Sequence, residues 1–297
     1  MPPTALSIAP EPRRSPRSKL REALGLRFVG ALMLAIGLAA CGGDAGQAQR
    51  RIGISTSLPI LWGESSDPKE LLASGAPPSW AGGLLAEHGQ LMPLDTLVGA
   101  DGRLPLPTDA LLVMIQPHAL SPQENVALDA WVRGGGHLLL FADPMLTQPS
   151  RYAPGDPRRP ADMAMLSPIL AHWGLELAFD PAQAAGEHGV RLREGSLPVN
   201  LPGRFHLLGN SGDGFSHRGN HGMSAPDAGS GKDGDGMARC RLESSGVLAS
   251  CVLGKGRILA LADAALFEEP NGDVPLSARR NLLSRLLVRA ESGDWRE

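Results

Sequence analysis

Hydrophobic positions along the chain fall into short blocks that alternate in period. Arg51–Leu58 (RIGISTSL) is a β-rich run closed by Pro59, and Leu84–Leu97 holds a short helix ending near His88-Gly89 followed by an apolar stretch with Pro93. Ala110–Ile115 (ALLVMI) is continuously apolar, as expected of a strand buried on both faces. A helix follows with a full set of start signals. Ser121 serves as N-cap, Pro122 sits in the first turn and Glu124 completes a Ser-x-x-Glu capping box. Leu128, Trp131 and Val132 share one face, and Gly134-Gly135-Gly136 stops the helix. His137–Ala142 (HLLLFA) is the next buried strand, ending at Asp143-Pro144. Strand, helix and strand with short joints predict a βαβ unit with parallel pairing.

The second half repeats the idea with weaker signals. Met163–Trp173 reads as a helix with Gly174 as its C′ residue, leading into Leu175–Phe179, with strand-like pieces around Val190–Leu192 and Phe205–Leu208. Residues 209–237 are Gly, Ser and Asp with almost nothing to bury, and read as a disordered insertion. Two β-prone runs around Ser244-Ser245-Gly246 predict a hairpin, Gly254-Lys255-Gly256 a hairpin turn, and Arg257–Ala262 a last strand ending at Asp263. Ser277–Ala290 closes the chain as an amphipathic helix, with Leu282, Leu283, Leu286 and Leu287 inward and Arg279, Arg280 and Arg285 outward. The predicted fold class is α/β: a mainly parallel sheet with helices on both faces and a C-terminal β-hairpin, in one domain over residues 51–297.

The N-terminus has a different character. Phe28–Ala40 is thirteen residues without a charge after a basic, Pro-rich leader. A bilayer span needs roughly 20 apolar residues, so this is a signal-peptide core. It ends in Leu38-Ala39-Ala40-Cys41, which resembles the bacterial lipobox, whose cysteine becomes lipidated and N-terminal. The expectation is a signal peptide over residues 1–41, a tether over 42–50, and a lipid anchor at Cys41 on the periplasmic side of the cell envelope. Cys240 and Cys251 then remain as an even pair. A hairpin centred between Ser245 and Gly246 sets them directly opposite, so an oxidising compartment would allow a cross-strand disulfide. A four-residue loop would make them the closer, non-hydrogen-bonded kind of pair, a two-residue loop the other kind.

Charge narrows the partners. Net charge is −3 overall, but residues 1–40 carry +4, which leaves −7 for the rest. A body that acidic, with 12 aromatic residues in the whole chain, is a poor nucleic-acid binder.

The run ALLVMIQPHALSPQENVALDAWVRGGGHLLLFADP resembles the signature of ABC-transporter auxiliary proteins of the gliding-motility type, which carry a periplasmic domain resembling class I glutamine amidotransferases. GKGRILALADAALFE and the helix after it resemble that family's C-terminal strand-Asp-helix element. The resemblance implies a flavodoxin-like or amidotransferase-like sheet and an accessory role beside ABC permease and ATPase subunits. It departs from the family in lacking visible spanning helices, the lipobox being the one membrane device. The amidotransferase-like enzymes place a cysteine nucleophile on a sharp strand-to-helix turn. The corresponding position here, after Leu138–Ala142, reads Asp143-Pro144-Met145, and no Cys lies between Cys41 and Cys240.

The function expected is therefore non-catalytic: an extracytoplasmic accessory module that binds partner proteins or an exported ligand, without cofactor or metal. The alternative is a hydrolase using carboxylates at the sheet edge. Asp143 and Asp263 each end a buried strand, where open α/β sheets bind ligands, though such residues also cap turns. Ser57, Trp62 and Glu64, just after the first strand, are the remaining candidates for ligand or partner contact.

Overall fold

In the computed structural model, residues 50–61, 79–208 and 238–292 are described. Cys41, Trp62, Glu64, the leader, tether residues 42–49 and the 209–237 segment lie outside them.

The apolar blocks become one seven-stranded sheet. Its strands are β1 (Arg51–Thr56), β2 (Gln90–Pro93), β3 (Leu111–Ile115), β4 (His137–Phe141), β9 (Arg239–Glu243), β10 (Leu248–Leu253) and β11 (Gly256–Leu261), in the order β2-β1-β3-β4-β11-β10-β9. The first five of these neighbours pair in parallel, and β10 and β9 add an antiparallel edge. Side chains alternate between the two faces of a strand, so each continuous apolar run feeds two cores. Ile52, Ile54, Leu111, Val113, Leu139 and Leu259 pack beneath helices α1 (Trp80–His88) and α4 (Leu276–Ser292). Leu112, Met114, Leu138, Leu140 and Ile258 face α2 (Pro122–Arg133) and α3 (Ser167–His172). Helices thus cover both faces of a mainly parallel sheet.

Helix α2 forms as its sequence requires. The Ser121 hydroxyl accepts from Glu124 N, and the Glu124 carboxylate accepts from Ser121 N, so two otherwise orphaned amides are satisfied. The same carboxylate accepts from Leu97 N and the Thr96 hydroxyl, stitching the helix start to the preceding loop. Gly136 has no room for a side chain, since a Cβ there would lie 2.3 Å from the Trp131 ring.

Hairpin β9–β10 has the expected register: Cys240 sits opposite Cys251, with Cα atoms 4.0 Å apart and the thiols joined as a disulfide. The last strand pair is Glu243–Leu248, leaving a four-residue connection, so the cysteines form the closer kind of pair. Ser244 and Ser245 both take positive φ in that connection.

Three expectations need correction. Helix α3 is shorter than Met163–Trp173, because a helix begun at Met163 would drive the Pro168 ring into the carbonyl of Ala164. Ala164 instead donates its N–H to Asp143 O, and Gly174 ends the helix at φ 82°. A strand not foreseen, β7 (Ser196–Val199), pairs with β6 (His188–Arg191), and it contains Pro198, a residue type that weakens a strand signal. A separate antiparallel pair joins β5 (Leu175–Ala178) to β8 (Arg204–Leu207). Finally, Arg279 is buried and not outward. Its guanidinium donates to the carbonyls of Ala265, Leu266 and Glu268 and to Glu187, while Nε donates to Val274 O. The turn after β11 leaves those carbonyls without ladder partners, and five N–H groups in one fork satisfy them.

Candidate functional site

Four parallel strands end at one edge of the sheet, and each delivers a polar residue there: Ser57 after β1, Gln116 after β3, Asp143 after β4 and Asp263 after β11. Between β1 and β3 the chain leaves the sheet in opposite directions, with β2 on one side and β3 on the other. That is the switch point where open α/β sheets form their crevice.

In this chain the crevice is filled by its own polar groups. Gln116 is buried with φ 44°, unusual for a residue with a Cβ. Its amide Nε2 donates to Asp143 O (3.0 Å) and Ala161 O (2.9 Å), and its Oε1 accepts from Asp143 N (2.9 Å). The Ser57 hydroxyl donates to Gln116 O and accepts from Ala161 N (2.9 Å). Ser57 and Gln116 therefore hold the stretch after β4 down across the switch point.

Asp143 and Asp263 are brought together on adjacent strands. Asp143 Oδ1 accepts from Met145 N (2.8 Å) and Oδ2 from Ala264 N (3.1 Å). Asp263 Oδ1 accepts from Ala265 N (2.6 Å) and Oδ2 from Asn200 N (2.9 Å). All four carboxylate oxygens thus receive a backbone amide. Beside them Glu268 accepts at both oxygens from the Thr147 hydroxyl, which itself accepts from Asn200 Nδ2.

Electrostatics set the protonation of this cluster. Burial pushes Asp143 up to about 7, against the lowering effect of the Met145 and Ala264 amides. Asp263 is raised well above the ordinary range by burial and then by the Asp143 charge. Burial also raises Glu268. Burial and mutual repulsion thus bias both acids toward the protonated form. Chemically, the cluster can hold or release a proton. Among the described residues, no group of three or more His, Cys, Asp and Glu side chains is arranged to hold a metal ion.

Sequence reasoning picked out Ser57, Asp143 and Asp263, and the structure gathers them at one edge. Gln116, Glu268 and Asn200 were missed. For Gln116 the available signal was its place directly after a buried strand and before Pro117; Glu268 closes the run GKGRILALADAALFE. Nothing local marks Asn200. No described helix is long and apolar enough to cross a membrane.

No family model and no curated protein matches the chain. Among solved structures, it is similar to the exo-β-1,4-mannosidase Op5Man5 from Opitutaceae bacterium strain TAV5 at 14% identity and TM-score 0.37, covering 90% of this chain and 38% of the other. It is also similar to Gan42B, a GH42 β-galactosidase, at 11% identity and TM-score 0.42, covering 81% and 30%. A third is the β-galactosidase from Rahnella sp. R3, at 10% and 0.36, covering 82% and 31%. The chain spans about a third of the length of these proteins, and likenesses of this strength carry no argument about its activity.

Proposed function

We propose that the protein is a non-catalytic accessory module of an ABC-type transport system, held outside the cytoplasmic membrane by lipid on Cys41 and working by binding partner proteins or an exported ligand. Its sheet is read as flavodoxin-like or amidotransferase-like, a reading supported by the parallel order β2-β1-β3-β4-β11. The observation that carries the proposal is the state of the sheet edge. Where an amidotransferase-like enzyme turns sharply from strand to helix with its thiol, this chain runs Asp143-Pro144, and no helix begins until Ser167. The acids that remain there spend every oxygen on backbone amides. They brace the loops after β4 and β11.

The hydrolase alternative has one observation in its favour, an Asp143 carboxyl pushed up to about 7, the range suited to general acid work. The two readings part on a simple pair of measurements. Cross-linked pull-down of the full chain from detergent-solubilised membranes should recover a permease and an ATPase, and mass spectrometry should find Cys41 alkylated at the mature N-terminus. Repeated failure to recover either subunit sinks the transporter link, and an unmodified Cys41 sinks the anchor. Turnover that disappears in the Asp143→Asn/Asp263→Asn double variant, with folding intact, would install the hydrolase instead.

A further inference from the structure

Away from the sheet edge, the β6–β7 hairpin and helix α4 enclose a cavity of about 300 Å³, lined by Gly189, Arg191, Arg193, Gly195, Ser196 and Arg285. Its construction follows from the hairpin register. Arg191 pairs with Ser196 at the end of the ladder, and Gly189 lies two residues away on the same face. A Cβ at Gly189 would sit 2.3 Å from Ser196 Oγ, so the hydroxyl keeps its place only because that position is glycine. Leu192 and Gly195 close the turn by exchanging backbone hydrogen bonds, which puts Arg193 at its tip. Arg285 reaches over from α4 and donates to Glu194 O (3.0 Å).

Charge here is not balanced. Glu194 Oε1 is shared by Arg193 (3.3 Å) and Arg289 (3.0 Å), and Arg289 is bonded further to Glu243. Three arginines (Arg191, Arg193 and Arg285) therefore line the hollow with no acidic side chain among its lining, on a body that carries −7 outside its first 40 residues. No carboxylate pairs with Arg285 among the described residues. The Arg191 side chain is exposed and makes no hydrogen bond or ion pair to any of them. An adjoining cavity of about 660 Å³ shares Arg191 and is lined also by Glu187 and Arg204.

We propose that the Arg191–Arg193–Arg285 cavity binds a phosphate group, carried by a free phosphate ester or by a phospholipid headgroup. Guanidinium forks match phosphate oxygens in pairs, and an unspent fork beside a serine hydroxyl supplies donors that only an anion can use. The volume lies at the small end for ligand sites and fits one such group. A polynucleotide would need a basic track along its repeating charges, which three arginines around one hollow do not form.

The test is calorimetric titration of the full chain with inorganic phosphate and with glycerol phosphate at low ionic strength. Saturable binding at one site is expected, weakened by salt and weakened roughly tenfold or more by Arg191→Ala, with Arg191→Lys falling between. The Arg191 side chain makes no hydrogen bond or ion pair to a described residue, so that variant is expected to keep its fold, which a matched circular dichroism melt verifies. Flotation with phosphatidylglycerol-in-phosphatidylcholine vesicles against phosphatidylcholine alone then separates the sources. A preference for the anionic vesicles that glycerol phosphate competes away assigns the headgroup; phosphate binding without that preference assigns a free ester. Absence of saturable binding to any of these probes, or binding that Arg191→Ala leaves unchanged, overturns the proposal.

Discussion

The acidic sheet edge and the arginine-lined hairpin are opposites in how their polar groups are used. At the edge, Asp143 and Asp263 are buried and every carboxylate oxygen is met by an amide from the same chain. On the hairpin, Arg191 is exposed with its donors unspent, and Arg285 has only a carbonyl. A polar group whose hydrogen-bonding capacity is exhausted internally stabilises the fold, whereas one with capacity left over is available to a ligand. The residue types alone suggest the reverse, since paired acids at a strand edge look like chemistry and scattered arginines look like a solvated surface.

The sharpest way to test that distinction is on arginine itself. Arg279 is the internal counterpart of Arg191, fully buried and bonded to Glu187 and four carbonyls. Arg279→Ala leaves Glu187 charged and buried without its partner, and should cost about 3–5 kcal/mol in urea unfolding. A loss below 1 kcal/mol would mean that internal bonding is a poor guide to structural weight here.

The second test is pH. Asp143 is raised from 3.8 to about 7 by burial, so the folded state holds its proton more tightly than the unfolded chain does. Stability from that group is fully present below pH 3.8 and is lost as pH rises through about 7. Asp263, raised further, extends the loss to higher pH. Unfolding free energies from urea titrations at pH 4 to 9 should therefore fall between about pH 4 and 7, by an amount on the order of 4 kcal/mol. Asp143→Asn should flatten much of that slope. A wild-type midpoint that rises between pH 5 and 8 would show that the pair ionises freely.

Legibility of this chain followed the range of the interactions involved. The β3–α2–β4 unit was readable because its instructions are local: apolar runs, a capping box three residues wide, glycines at the stop. The Cys240–Cys251 register was readable for the same reason, a hairpin being fixed by its own turn. Arg279 was not, because the carbonyls that claim it lie up to fourteen residues away in a turn whose shape the sequence does not declare. Pro198 hid β7, a strand whose partner supplies the pairing that its own composition opposes. At the site, strand ends located Asp143 and Asp263, but whether their oxygens were free depended on Asn200 and Ala264, contacts made only after folding.

The disulfide lies in the hairpin that borders the arginine region. Hairpin β9–β10 carries Glu243, which pairs with Arg289, and Ser244, whose hydroxyl donates to Arg191 O. The bond closes a loop with sequence separation 11, for which chain entropy gives about 2–3 kcal/mol. Reduction, or the Cys240→Ala/Cys251→Ala double variant, should lower stability by that amount and loosen the arginine cavity with it. Unchanged thermal melting on reduction would detach the hairpin from the stability of the rest.

The smallest effect is expected where the comparison is most exposed. Arg191→Ala removes a charged side chain with no partner among the described residues, and surface changes of that kind stay within about 0.5 kcal/mol. One of the three guanidinium groups lining the cavity would be gone, easing their mutual repulsion, so a slight gain in stability is the expected sign at low salt, fading as salt screens it. Melting curves of the two chains across an ionic-strength series decide the matter. A loss of 1 kcal/mol or more would mean that Arg191 is committed to the fold as Arg279 is, and the contrast between spent and unspent donors would fail at the residue on which it most depends.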